Sequence, residues 1–276
     1  MAWAAGVAAV GPTRVFGQDL DDCTRWAFLS DTHVASDPDN RYRGFYPYRN
    51  LQEVAGQIAC HPPDGVVITG DLARMRGEVQ AYENLKTLLT PITEQRPVYL
   101  GLGNHDTHDD FAQAFKAGSG DVRTVEDKHV VTAVAGPMRL IVLDSLIADR
   151  AAGLLGSSQR MWLSSYLAGS DDRPTILFFH HRPQIDLLDS KRLFDIIEPM
   201  AKVKAVVYGH SHKFNFAQYK GIHLINLPAT GYNMSGSQPV GWVEADLTSR
   251  GGRFTLHAIG GSRKYDGCTE RLTWRS

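Results

Sequence analysis

Seven side chains able to give oxygen or imidazole nitrogen to a cation lie in five short motifs of this 276-residue chain. They are Asp31 and His33 in Asp31-Thr32-His33, Asp71 in Gly70-Asp71, Asn104 in Gly103-Asn104-His105-Asp106, His180 in His180-His181-Arg182-Pro183, and His210 and His212 in Gly209-His210-Ser211-His212. The set holds three oxygen donors, four imidazoles and no thiolate. Donors of this mixed, borderline hardness suit iron, manganese or zinc better than calcium or copper(I). Seven exceed what one such ion commonly takes from a protein, so two divalent or mixed-valence ions sharing Asp71 as a bridge is the economical reading. Two ions about 3.5 to 4 Å apart hold a bridging hydroxide at neutral pH and stabilise the attacking and leaving oxygens of an in-line displacement at phosphorus. The expected chemistry is hydrolysis of a phosphate ester.

Each motif directly follows a run of strand-forming residues: Trp26-Ala27-Phe28-Leu29, Val66-Val67-Ile68-Thr69, Val98-Tyr99-Leu100-Gly101-Leu102, Thr175-Ile176-Leu177-Phe178-Phe179 and Ala205-Val206-Val207-Tyr208. Ligands of open α/β sheets bind at the carboxyl ends of strands, so motifs distant in sequence can converge there. On a straight strand, Asp31 and His33 face the same side, and His210 and His212 repeat that spacing. Singly, each motif is ordinary, since an aspartate after a strand commonly shapes a turn and paired histidines fit a core or surface pair. Their joint occurrence, each after an apolar strand, is what points to a site.

Between these strands the apolar spacing predicts a helix over Tyr48–Cys60, with Leu51, Val54, Ala55 and Ile58 on one face and His61-Pro62-Pro63 as its stop. A second is expected over Val79–Leu89, ending before Pro91. Strand, helix, strand, helix, strand is the pattern of a parallel α/β unit. Val130–Val134 and Leu140–Leu143 read as a hairpin, and Ser157 or Ser158 can cap a helix carrying Met161, Trp162, Tyr166 and Leu167. Ile222–Leu227, Trp242–Leu247 and Phe254–Ile259 read as late strands of a second sheet packed on the first.

With 29 basic and 30 acidic residues, the formal net charge is -1 and the basic residues form no run, so composition gives no support for a nucleic-acid partner. No stretch reaches the ~18 apolar residues of a membrane span. Cys23, Cys60 and Cys268 have no metal or redox spacing and read as buried thiols or as including one disulfide. Residues 1–23 are expected to form a tail. Its apolar start, Met1 to Val10, reads either as a secretory signal lacking its basic region, implying periplasmic or extracellular export, or as a terminal tail or short packed helix of a cytoplasmic protein.

With these motifs in this order, the chain from about Thr24 resembles the calcineurin-like metallophosphoesterases. It looks closest to the branch of class III cyclic-nucleotide and glycerophosphodiester phosphodiesterases, on Gly70-Asp71-Leu72-Ala73 followed by Gly77 and Tyr82, and on Gln159-Arg160-Met161-Trp162-Leu163 before the double histidine. The resemblance implies an α/β fold, a four-layer α-β-β-α sandwich of two mixed sheets, as one domain over 24–276 with a dimetal site on one edge. It implies one ion on Asp31, His33, Asp71 and His212, and the other on Asp71, Asn104, His180 and His210. His105 would be catalytic, facing the phosphate and assisting the leaving group, and His181 would orient a ligand or the site wall. The substrate would be a small-molecule phosphate ester, a diester ahead of a monoester. The alternatives are a phosphomonoesterase or nuclease of the same fold, or a metal-binding protein without turnover.

Three features depart from or extend that pattern. Purple acid phosphatases carry a tyrosine ligand three residues beyond Asp71, where this chain has Arg74. The family's common His-His-Pro-Pro is interrupted by Arg182, which either reaches a phosphate oxygen or points to solvent. The loop Asp37–Pro47, with Arg41, Tyr42, Arg43, Phe45 and Tyr46, and the segment Gly231-Tyr232-Asn233 either grip the organic part of a substrate or pack against the body of the protein.

Overall fold

A computed structural model describes residues 22–115, 121–125 and 127–276. The apolar segment from Met1 to Val10 lies outside the described residues. In chain order the elements are β1 (Thr24–Leu29), α1 (Pro47–Cys60), β2 (Gly65–Ile68), α2 (Val79–Thr93), β3 (Val98–Leu100), α3 (His108–Ala114), β4 (Asp121–Val125), β5 (Lys128–Ala135) and β6 (Met138–Val142). They continue with α4 (Ser157–Gly169), β7 (Thr175–Phe178), α5 (Ser190–Ile197), β8 (Val203–Tyr208), β9 (Asn215–Tyr219), β10 (Ile222–Asn226), β11 (Pro239–Thr248), β12 (Gly251–Gly261) and β13 (Thr269–Thr273).

Successive side chains of a strand face opposite sides, so strands apolar at every position must be covered on both faces. That rule sorts the chain into layers. From β1, Ala27 and Leu29 enter a core shared with Leu51, Val54, Ala55 and Ile58 of α1 and Leu85 and Leu89 of α2. Trp26 and Phe28 face the other way, meeting Leu140 and Val142 of β6 and Ile176 and Phe178 of β7. Ile141 and Leu177 then turn outward to Leu163 and Leu167 of α4 and Leu193 and Phe194 of α5. Three apolar interfaces separate four layers, helices, sheet, sheet and helices, as the resemblance implied.

One sheet runs β13-β12-β11-β1-β2-β3 and the other β4-β5-β6-β7-β8-β10-β9. Within the first, β1, β2 and β3 are parallel; within the second, β6, β7, β8 and β10 are parallel. The expectation that all three late strands form a second sheet needs correcting. β10 extends the sheet of the histidine-bearing strands, while β11 pairs antiparallel with β1 and β12 with β11. Ala245 and Leu247 of β11 thereby join the inter-sheet core beside Trp26 and Phe28.

Helix α1 keeps the expected apolar face, with Pro47 in its first turn, where a missing N–H costs nothing. Helix α2 runs past the expected stop: Pro91 lies inside it because Ile92 is buried and anchors the last turn. The carbonyl that Pro91 leaves without a donor belongs to Thr87, on the exposed face, where water can satisfy it. Ser157 and Ser158 sit within the first turn of α4 and make no capping bond, since Gly156 is the residue preceding the helix. Met161 is exposed and not part of the core face. The three cysteines are free and exposed, neither buried nor paired. No helix among the described residues is long and apolar enough to cross a membrane.

Candidate metal centre

Strands β1, β2, β3, β7 and β8 end just before the five motifs, and the two sheets bring those ends to one place. Three groups of mutually close donors result: Asp31, His33 and His212; His33, Asp71 and His105; and Asp71, His180 and His210. Six of the seven expected ligands therefore meet, with Asp71 in groups on both sides. Asn104, the seventh, is adjacent to His105, and its Oδ1 is buried without a hydrogen-bond partner. His105 falls in one of the groups although the resemblance gave it no ligand role.

The shared orientation of Asp31 and His33 does not come from strand pleating, because β1 has ended at Leu29. Asp31, His33, Asp71, His210 and His212 all adopt left-handed backbone, with φ of 53°, 46°, 51°, 67° and 51°. They are five of the ten non-glycine residues in that region among those described. Such backbone costs about 1 to 3 kcal/mol per residue and persists where surrounding structure over-determines it. Close packing explains the neighbouring glycines. A Cβ on Gly103 would stand 2.7 Å from His180 Cδ2 and closer still to Asp71 Oδ1, and one on Gly209 would strike Ser30 and Asp31.

Each carboxylate has one oxygen engaged and one facing the imidazoles. Asp31 Oδ2 accepts Ser30 Oγ–H at 2.5 Å and the His210 N–H at 3.0 Å, leaving Oδ1 3.2 Å from His212 Nε2 and 3.8 Å from His33 Nε2. Asp71 Oδ1 accepts the His105 N–H at 2.9 Å, leaving Oδ2 3.2 Å from His180 Nε2 and 3.6 Å from His33 Nε2. His212 donates Nδ1–H to the Tyr232 carbonyl at 2.6 Å, so its Nε2 presents a lone pair inward.

Of eight buried side-chain polar atoms without a hydrogen-bond partner among the described residues, six are Asp31 Oδ1, His33 Nδ1, Asn104 Oδ1, both ring nitrogens of His180, and His181 Nε2. An unsatisfied buried polar group costs about 1 to 3 kcal/mol, so their concentration in one cluster marks a place built for a further partner. The donor types fit cations.

The charges agree. Burial drives His33 down to about 3 and His181, beside His180 and His210, down to about 2. Burial opposes charge on His180 as well, yet Asp71 and Asp31 hold it up at about 9. For Asp31 burial again opposes charge, but His212 and His180 outweigh it and keep the carboxyl below its usual range.

His181 packs edge-on to His180 with centroids 5.2 Å apart, 5.0 Å from His210, and bonds Ser145 Oγ through Nδ1 at 2.8 Å. Arg182 Nε donates to Asp186 Oδ2 at 2.6 Å, and that oxygen lies 3.4 Å from His210 Nε2. The Asp37–Pro47 loop turns at Arg43 and Gly44, both at positive φ, and Arg43 donates to the Met234 carbonyl at 2.8 Å. Tyr42 meets Tyr232 edge-on, and Tyr232 lies against His33 and His212, 4.7 Å between centroids in each case.

Sequence reasoning assigned no role to two carboxylates. Asp106 accepts the N–H groups of Leu72, Ala73 and Gly103 and the Tyr82 hydroxyl, tying the loop after β2 to that after β3. Its place in Gly103-Asn104-His105-Asp106 was the available signal; Asp186 had none. A cavity of about 1500 Å³ opens beside Asn104 and His105, walled by Leu100, Leu102, Phe111, Lys128 and His129.

The calcineurin-like phosphoesterase family profile matches residues 24–214. The chain is 26% identical over 215 residues to a glycerophosphodiester phosphodiesterase of Enterobacter lignolyticus, covering 74% of this chain and 76% of that protein. It is 26% identical over 213 residues to a 3',5'-cyclic adenosine monophosphate phosphodiesterase of Pseudomonas aeruginosa, covering 73% and 74%. A cAMP/cGMP dual specificity phosphodiesterase of Mycobacterium tuberculosis is 31% identical over 216 residues, covering 74% and 66%. In fold, a dimetal phosphatase from Danio rerio superposes with a TM-score of 0.72 at 14% identity, covering 92% of this chain and all of that one. The two-sheet sandwich, the Asp and His cluster at its edge and the profile match agree: the chain belongs to the calcineurin-like phosphoesterase family and is a metallophosphoesterase.

Proposed function

We propose that this protein is a phosphodiesterase with a two-ion centre, Asp31, His33, Asp71 and His212 holding one ion and Asp71, Asn104, His180 and His210 the other. The observation that carries this is the position of Asp71, which alone among the carboxylates of the described residues belongs to two donor groups. Iron, manganese and zinc are the ions its donors suit. When bound, they would lower the pKa of the attacking water and stabilise charge on the phosphoryl oxygens.

The protein's own residues orient and move protons. His105 donates Nδ1–H to the Met75 carbonyl at 3.1 Å, which leaves Nε2 as the free nitrogen; it carries a proton for the leaving oxygen when the imidazole is in its cationic form. The Asp71 carboxylate, through the His105 N–H, ties that histidine to the bridge. Residues 24–276 act together as one metallophosphoesterase domain.

A diester is favoured by the activities in the relatives' names and by the cavity beside His105. That cavity, at about 1500 Å³, leaves room for an organic group beside the cluster. The test is to strip the protein with a chelator, reload it with iron, manganese or zinc, and measure ion stoichiometry alongside turnover of aryl diesters, aryl monoesters, cyclic nucleotides and glycerophosphodiesters. Two ions per chain and a preference for diesters are expected. Full turnover with a single ion would overturn the two-ion reading, and faster monoester hydrolysis the diester reading.

A further inference from the structure

Arg74 stands three residues beyond Asp71, and the fold holds it firmly. Its N–H donates to the Val34 carbonyl at 2.8 Å, and Val34 and Ala73 form an isolated bridge that joins the loops after β1 and β2. Its guanidinium carbon sits 3.8 Å from the centroid of the Tyr42 ring and 5.4 Å from that of Tyr232. Because Tyr232 lies directly on His33 and His212, the cation is one ring away from the metal-binding cluster.

What Arg74 lacks is an acid. Arg139, Arg160, Arg182 and Arg253 are paired with Asp171, Asp189, Asp186 and Asp246. Among the described residues no ion pair forms at Arg74. Its Nε is buried without a hydrogen-bond partner among the described residues, where its side chain reaches only the weak acceptor Met75 Sδ at 3.5 Å. An arginine face engaged by a tyrosine still has its N–H groups in the guanidinium plane, the fork that fits an oxyanion. Cation–π contact holds the plane without consuming those donors.

We infer that Arg74, held by Tyr42 and Tyr232, is a substrate-binding residue that donates to an anionic oxygen of the substrate's phosphate group. The inference rests on the adjoining cluster being the hydrolytic centre. Arg74 supplies a positive charge with pre-set donors, its guanidinium held against the two tyrosine rings.

The test uses the metal-loaded full chain with inorganic phosphate as probe, its affinity read by calorimetry and not by turnover. Arg74→Ala is expected to weaken phosphate binding about 10- to 100-fold, the range for losing charge-assisted hydrogen bonds, with ion stoichiometry unchanged. Arg74→Gln keeps the stem over Tyr42 and serves if the alanine variant fails to fold; the same direction is expected. Unchanged phosphate affinity in either folded, metal-replete variant overturns the inference and makes Arg74 a structural strut. Absence of phosphate-ester turnover in the unmodified, metal-loaded protein would instead overturn the hydrolase reading, a result distinguishable from the first.

Discussion

The His108 imidazole nitrogen Nε2 lies 2.6 Å from the buried carboxylate of Asp144, which also accepts the backbone N–H groups of His129 and Leu146. That hydrogen bond holds His108 above its ordinary pKa, with partial burial opposing. A histidine raised on folding contributes stability that is fully present below its unfolded pKa of about 6.5 and is lost as pH rises through the folded value. His108→Gln should therefore lower the urea midpoint more at pH 6 than at pH 9. Since the imidazole is 38% exposed, the effect is screened and small. A midpoint difference independent of pH would show that the pair carries no linked proton.

Asp71→Asn should reduce ion content and turnover together. A neutral amide leaves the repulsion between two cations uncompensated, and Asp71 Oδ2 is the oxygen nearest His180. Outer partners of metal ligands are worth about 10- to 100-fold, so losing a bridging carboxylate should cost at least about 100-fold. Elemental analysis beside the rate measurement checks this, and full occupancy with normal turnover would remove Asp71 from the bridge.

For His105→Ala, ions should stay bound while turnover falls, by about 10² to 10⁴-fold if the side chain acts as a general acid. The loss should shrink for nitrophenol esters, whose leaving group needs little protonation. Equal losses on good and poor leaving groups would make His105 a phosphate-positioning residue.

Gly103→Ala tests how tightly the centre is packed. The added methyl would displace Asp71 or His180, whose atoms lie within 2.7 Å of its position, so ion affinity should drop at least about 10-fold, comparable to losing an outer partner. The inter-sheet core is untouched, so far-UV circular dichroism should remain that of the parent. Parental ion affinity in this variant would mean that the loops after β2 and β7 yield easily.

Residue type and local period alone determined that five donor-bearing motifs follow apolar strands, that Leu51, Val54, Ala55 and Ile58 form one helical face, and that the fold is α/β. Each is a near-neighbour property, written within a few residues of where it acts. Short elements escaped: α3, α5, β4, β9 and β13 are few in residues, and β9 is mostly exposed, without an apolar alternation to mark it. Tertiary structure decided the rest. Leu247 lies far along the chain from Thr24, yet β11 pairs with β1 because the inter-sheet core needs its Ala245 and Leu247. The left-handed backbone of Asp31 and His210 follows from contacts across the two sheets, where the His210 N–H reaches Asp31 Oδ2. Arg74 comes to lie one ring from the centre only when Tyr42 and Tyr232 arrive from separate loops. Such relationships are long-range packing and hydrogen bonding, and no window of the sequence contains both partners.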